Sequence, residues 1–183
     1  MSARRLLGLL LAAAVALPAC LLPQEDHIIQ PLPPLLNQPP RILENLLQPA
    51  GRFFTVRNGG DCPNLTFLAP VSDPDVGDTL IYNFYVDPNL FPAFVKQATI
   101  PNNGEADRSD PATFEVSFAT PGPLQQPGDH VVEVLVSDGA LVNREPQPKP
   151  VTLLDGGTAL NPTYAVTYAW TVTVVAGPCP PPP

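Results

Sequence analysis

Short alternating runs of β-branched and aromatic residues, cut apart by proline and glycine, predict an all-β fold, an antiparallel sandwich of seven to eight strands. Two further observations carry that expectation. The 183-residue chain holds 27 prolines, and an interior proline costs a helix about 3 kcal/mol, which argues against long helices. Hydrophobic residues make up 44% of it, enough for a packed core rather than wholesale disorder.

The strands are expected in the following order. Arg41–Leu47 is either a first strand or a brief helical turn, given Leu43, Glu44, Leu46 and Leu47. Phe53–Val56 is short and stops at Asn58-Gly59-Gly60, and Asn64–Leu68 follows the first domain cysteine. In Thr79–Val86, Leu80, Tyr82, Phe84 and Val86 share one face while Ile81 and Tyr85 take the other. Phe94–Ile100 and Thr113–Phe118 come next, the latter with Phe114, Val116 and Phe118 inward. His130–Ser137 is a continuous β-branched run of the kind buried on both faces. Tyr164–Val175 closes the domain with Val166, Tyr168, Trp170, Val172 and Val174 alternating against small or polar residues. Turn signals separate these runs, among them Gly77-Asp78, Pro101 to Gly104, Pro127-Gly128-Asp129 and Asp138-Gly139. The segment from Asn143 to Asn161, with Pro146, Pro148 and Pro150, reads as a long loop, and such loops are commonly functional or mobile.

The first twenty residues carry an address. Arg4 and Arg5 precede the apolar run Leu6 to Leu17, and small residues lead to Cys20, which is the pattern of a secretory signal. The run is shorter than the roughly 20 apolar residues a membrane-spanning helix needs. Leu17-Pro18-Ala19-Cys20 resembles the lipobox of bacterial lipoproteins, with Pro18 departing from the usual Ser, Ala or Thr. The resemblance implies cleavage after residue 19 and a lipid on Cys20. Leu21, where an Asp would retain a lipoprotein at the inner membrane, implies the outer membrane of a bacterial envelope. Residues 20–40, with six prolines between Leu21 and Pro40, read as an extended stalk. Its Ile28, Ile29, Leu32, Leu35 and Leu36 are more apolar than a spacer needs: they touch the domain or the bilayer surface, or cover a partner, and some docking onto the domain is favoured. The domain is expected over 41–179, and 180–183 is a terminal tetraproline that cannot pair as a strand.

With Cys20 assigned to lipid, Cys62 and Cys179 remain as a pair with one possible connectivity. In an oxidising compartment a disulfide is favoured, over either two free thiols or a metal or redox pair. No Cys-x-x-Cys spacing occurs, and neither cysteine has a histidine close by in sequence. Loss of residues 1–19 leaves seven basic against seventeen acidic residues, a net charge of −10. So acidic a surface repels nucleic acid and anionic headgroups. The membrane is then a partner through the lipid alone.

Val71-Ser72-Asp73-Pro74-Asp75-Val76-Gly77-Asp78-Thr79-Leu80-Ile81-Tyr82 resembles the "D-x-D-x-G-D-x-L-x-Y" segment of bacterial cadherin-like and related immunoglobulin-like domains. Val132 to Gly139 (VEVLVSDG) resembles their penultimate strand and turn, and the strand containing Trp170 follows in the family's order. The resemblance spans about Pro40 to Ala176 and implies an immunoglobulin-like sandwich; it bears on fold more than on function.

It also implies a metal site. Domains of this kind bind Ca²⁺ through loop carboxylates, which makes Asp73, Asp75, Asp78 and Asp138 candidate ligands, with Asp107 and Asp110 near them. The family's inter-domain linker string is absent here, and turn chemistry explains the same residues, because Asp side chains bond their own backbone. The expected cofactor is therefore none, with weak Ca²⁺ binding as the alternative.

Catalytic patterns are missing: there is no Gly-x-Ser-x-Gly elbow, zinc-binding helix or phosphate loop. His130 beside Asp129 and Ser137 reads as a strand-end surface residue. Most carboxylates sit in turns, away from apolar contexts that would raise a pKa. In Pro88-Asn89-Leu90-Phe91-Pro92, Leu90 and Phe91 either cap the sandwich end, the commoner outcome, or stay exposed for a partner. The expected function is a non-catalytic, lipid-anchored binding or structural module facing an envelope protein, glycan or peptide. A Ca²⁺-dependent adhesion module and a cryptic hydrolase are the alternatives.

Overall fold

The structure, a computed structural model, describes residues 37–108, 110–153 and 156–179. The expected signal segment 1–19, Cys20, the stalk as far as residue 36 and the tail 180–183 lie outside the described residues. Within the described residues the chain is all-β. Its strands are β1 (Arg41–Ile42), β2 (Phe53–Arg57), β3 (Leu65–Leu68), β4 (Val71–Ser72), β5 (Leu80–Val86), β6 (Lys96–Ile100) and β7 (Thr113–Val116). They continue as β8 (Gly128–Ser137), β9 (Leu141–Val142), β10 (Glu145–Pro146), β11 (Lys149–Thr152), β12 (Thr158–Asn161) and β13 (Ala165–Val175). A 3-10 turn at Glu44–Leu46 follows β1, so both expectations for that stretch are met in part. No helix among the described residues is long and apolar enough to cross a membrane.

Five strands form the main sheet in the order β2-β13-β8-β5-β6, and the ribbons β3-β7 and β1-β4 lie against it. Register follows the alternation. Tyr82, Phe84 and Val86 of β5 pair with Val136, Val134 and Val132 of β8, and all six are buried. A slip of one residue would turn each of them to the other face. From β13, Tyr168, Trp170, Val172 and Val174 enter the same core. The facing ribbon supplies Phe67 and Phe114, and rings meet across the gap: Phe67 to Trp170 at 5.2 Å and Phe84 to Phe114 at 5.6 Å between centroids. The indole N–H, which needs a partner once buried, donates to the Pro49 carbonyl at 3.1 Å.

Three expectations are corrected. The sheet is not wholly antiparallel, since β2 runs parallel to β13 from Phe53↔Thr171 to Arg57↔Val175. These are the first and last strands of the sheet and share no hairpin, so nothing in the connectivity forces them antiparallel. Among the described residues thirteen strands replace seven to eight; β1 to β3, β5 to β8 and β13 are the expected ones, and the additions are short. Finally, the supposed loop Asn143 to Asn161 is largely paired. It holds the second strand of the β9-β10 hairpin, and β11 pairs with β12 from Lys149↔Asn161 to Thr152↔Thr158. The β9-β10 turn was illegible because Arg144, at φ 71, follows Asn143, at φ 49, where a glycine would ordinarily announce a two-residue turn. Arg144 is held there by an ion pair with Glu133 and by the face of Tyr85, 4.3 Å away. Tyr85, beneath that cover, and Leu135 are both buried on the outer face, so β8 is buried on both faces only in its second half.

Beyond β2 the parallel ladder continues: Asn58 N–H donates to the Val175 carbonyl at 3.2 Å and Gly59 N–H to that of Gly177 at 3.0 Å. Gly59 has no room for a side chain, because a Cβ there would lie 2.8 Å from the Gly177 carbonyl oxygen. This close approach brings Cys62 to Cys179, and the two sulfurs are bonded across 117 residues. Upstream, Asn37 and Pro40 are buried in the domain, so the packed unit starts before residue 41. Opening the disulfide with the paired Cys62→Ser and Cys179→Ser changes should cost about 5 kcal/mol by the loop-entropy relation. Urea unfolding of the variant beside the oxidised protein measures this.

Candidate functional site

At the end of the sandwich where β5 begins, the turn after β4 and the turn after β8 meet. They bring together three of the four expected carboxylates. Asp73 and Asp138 are fully buried, and each lies within electrostatic range of Asp78. Each has its own partners. Asp73 Oδ1 accepts from the Asp75 N–H at 3.0 Å, an Asx turn as the sequence suggested. Asp138 Oδ1 accepts from the Tyr164 N–H and Oδ2 from the Asn37 amide, both at 2.7 Å. Asp78 is paired with Lys149 at 2.9 Å, and Asp75, on the rim, accepts from the Gln38 N–H at 2.5 Å.

Burial raises the pKa of Asp73, helped by the Asp78 and Asp138 charges and opposed by the Asp75 N–H and by Arg108. Burial likewise raises that of Asp138, against its bonds from Tyr164 and Asn37. Turn residues thus prove to be perturbed carboxylates, against expectation. Both raised side chains are buried, Asp73 and Asp138 alike.

Arg108 is the residue the sequence concealed. It stands in Asp107-Arg108-Ser109-Asp110, a string that reads as a charged surface turn. Instead its side chain is wholly buried and faces Asp73 at 3.6 Å. Its guanidinium donates to the carbonyls of Glu105 and Asp78, each at 3.0 Å, and to the Asn103 side-chain oxygen at 3.1 Å. Asp107 and Asp110, the expected neighbours of the cluster, are exposed. A fixed cation ringed by main-chain and side-chain oxygens thus occupies the centre of the loops expected to hold Ca²⁺. No group of three or more His, Cys, Asp or Glu among the described residues is arranged to hold a metal ion.

The opposite end of β5 carries a different surface. Between Asp87 and Lys96 the chain has no charged residue, and Leu90 (73%), Phe91 (64%), Phe94 and Val95 are exposed. Capping, the commoner expectation for Leu90 and Phe91, therefore does not hold. Leu124 of the neighbouring loop, 2% exposed, closes this end of the core in their place. The Leu90 and Phe91 N–H groups both donate to the Asp87 carbonyl, at 2.8 and 2.9 Å, so the tip is built on a tight turn. Asp87 supports that turn at φ 49.

No protein-family model, curated protein or solved structure matches the chain.

Removing the central cation should be severe. Arg108→Met leaves Asp73 buried without its counter-charge, a change that costs about 3–5 kcal/mol. Chemical denaturation of the variant should show that loss, whereas Arg52→Met, which removes an exposed partner of Glu44, should lose less than about 1 kcal/mol.

Proposed function

We propose that this chain is a non-catalytic envelope lipoprotein whose domain is an immunoglobulin-like binding module, tethered at one end and presenting an apolar tip at the other. The exposed, uncharged run at Leu90, Phe91, Phe94 and Val95 carries the reading. Large apolar side chains clustered in one turn of an acidic domain are the usual mark of a contact surface. The strand order supports the immunoglobulin-like assignment: β2-β13-β8-β5-β6 in one layer, with β3-β7 and β1-β4 in the other. Two ends of the domain divide the labour. Asn37 and Gln38, where the described chain starts, are bonded at the Asp138 and Asp75 end. The tip lies beyond Val86, a seven-residue strand away, or about 20 Å.

The Ca²⁺-dependent module is the second reading. Its support is that Asp73 Oδ2 and Asp78 Oδ2 are buried without a hydrogen-bond partner; against it stands Arg108 at the centre of the cluster. The cryptic hydrolase draws support from the raised carboxylates alone, and their burial opposes it.

Two experiments separate these readings. The Leu90→Ser, Phe91→Ser double variant should keep its stability within about 0.5 kcal/mol, as surface changes do. It should also lose, by tenfold or more, whatever partner the full chain retains from detergent-solubilised membranes; equal retention sinks the tip as the contact. Millimolar Ca²⁺ should leave the melting temperature unmoved, and a rise that a chelator reverses would select the adhesion module.

A further inference from the structure

One strand-end histidine has more partners than the expected role of a surface residue requires. His130 lies between two loops at the tip end. Its Nδ1 is 2.7 Å from Asp87 Oδ2, and its Nε2 is 2.8 Å from the Gln126 carbonyl oxygen. A carboxylate and a carbonyl can only accept, so both ring nitrogens must carry hydrogen, and only the imidazolium does so. The neutral ring has one N–H and must leave one of the two acceptors facing a lone pair.

Asp87 is fixed independently of the ring. Its Oδ1 accepts from the Val131 N–H at 2.8 Å and its own N–H donates to the Val131 carbonyl at 2.8 Å. On the Gln126 side the loop is tied through Gln125, whose carbonyl accepts from the Asn58 amide at 2.7 Å and whose own side-chain amide donates to the Thr120 carbonyl at 3.1 Å. The loop between Ser117 and Gly128 contains Leu124 at φ 64, a left-handed backbone that a leucine keeps only where its surroundings hold it. Between the loops is a groove of about 250 Å³ lined by Phe91 and Val95 on one side and Pro123 and Leu124 on the other, with His130 among its walls.

We propose that His130 is a proton-operated latch: as the imidazolium it ties the Gln126 loop to the Asp87 turn, and on losing its proton it releases the Gln126 side and opens the apolar groove beside the tip. The carboxylate retains the remaining N–H because a charged acceptor holds it more strongly than a carbonyl does. The charged groups acting on the ring are Asp87, from the end of β5, and Asp129, from β8 itself. Asp129 also accepts from the Thr173 hydroxyl of β13 at 2.6 Å. Partial burial lowers the pKa of His130, but the bonds to Asp87 and Gln126 and the two aspartate charges outweigh it and leave a net rise. A raised histidine stabilises the fold at low pH, and that contribution is lost as pH climbs through its folded pKa. The latch is therefore shut in acid and open above the titration, independently of what the tip binds.

The test uses the full ¹⁵N-labelled chain. Long-range imidazole ¹H–¹⁵N spectra should show both His130 nitrogens protonated at pH 6, with a midpoint above that of N-acetylhistidine amide in the same buffer. Amide exchange at Leu124 to Gln126, corrected for intrinsic base catalysis, should accelerate about tenfold across that midpoint while amides in the middle of β13 do not. Asp87→Asn, which keeps an oxygen for the Val131 N–H, should bring the midpoint down. His130→Gln cannot serve both acceptors as two N–H donors on opposite sides, and should hold the loop at its fast, high-pH exchange throughout. A singly protonated ring at pH 6, loop exchange indifferent to the titration, or acid-state protection surviving in His130→Gln would each overturn the latch.

Discussion

The edge-to-face contact between Phe67 and Trp170 is the joint on which the two layers close. Phe67 comes from a four-residue ribbon strand and Trp170 from the middle of the eleven-residue β13. The rings of Phe54, Phe114 and Tyr168 are packed onto one or the other of them. Because the indole is wholly buried, its single N–H must be satisfied inside the protein. That requirement places the Pro49 carbonyl over the core and so fixes how the chain passes from β1 toward β2. Beyond that passage β2 pairs in parallel with β13, and the cysteines meet past the end of their ladder.

Charge is arranged differently at the two ends of the domain, and the difference is physical rather than decorative. At the end where β5 begins, three carboxylates are drawn inward and balanced by Arg108 and Lys149. Buried charges of this kind persist only when paired and hydrogen-bonded. At the tip end the aspartate is matched by a histidine, and the turn that follows is uncharged. A domain acidic overall thus exposes Leu90, Phe91, Phe94 and Val95 together in a stretch free of its own charge.

Much of the frame was legible in the sequence because strand alternation reports burial directly. Leu80, Tyr82, Phe84, Phe114, Val116, Trp170 and Val172 all take the face their spacing assigned. What could not be read depended on long-range partners. Arg108 carries no mark of burial, since its neighbours in sequence are exposed acids and its cage comes from residues 73 to 105. Asp87, the partner of His130, is 43 residues distant, while the adjacent Asp129 lies on the opposite face of the strand and was the more visible candidate. The β9-β10 hairpin carries no glycine to mark its turn, where Arg144 keeps a left-handed backbone beside Glu133 and Tyr85. Leu90 and Phe91 stay outside because Leu124 had already filled the end of the core.

The disulfide has a mechanical consequence. Suppose tension were applied between Asn37 and Cys179. The covalent bond to Cys62 closes a loop of 117 residues that such a load cannot draw out. Only the stretch from Asn37 to Asp61 could be pulled straight, a gain limited to roughly 85 Å at about 3.4 Å per residue. Within that stretch β2 would have to slide along β13, loading their ladder bonds together instead of one after another. The remainder of the domain, with the tip and the core behind it, would bear the pull as a single unextended body.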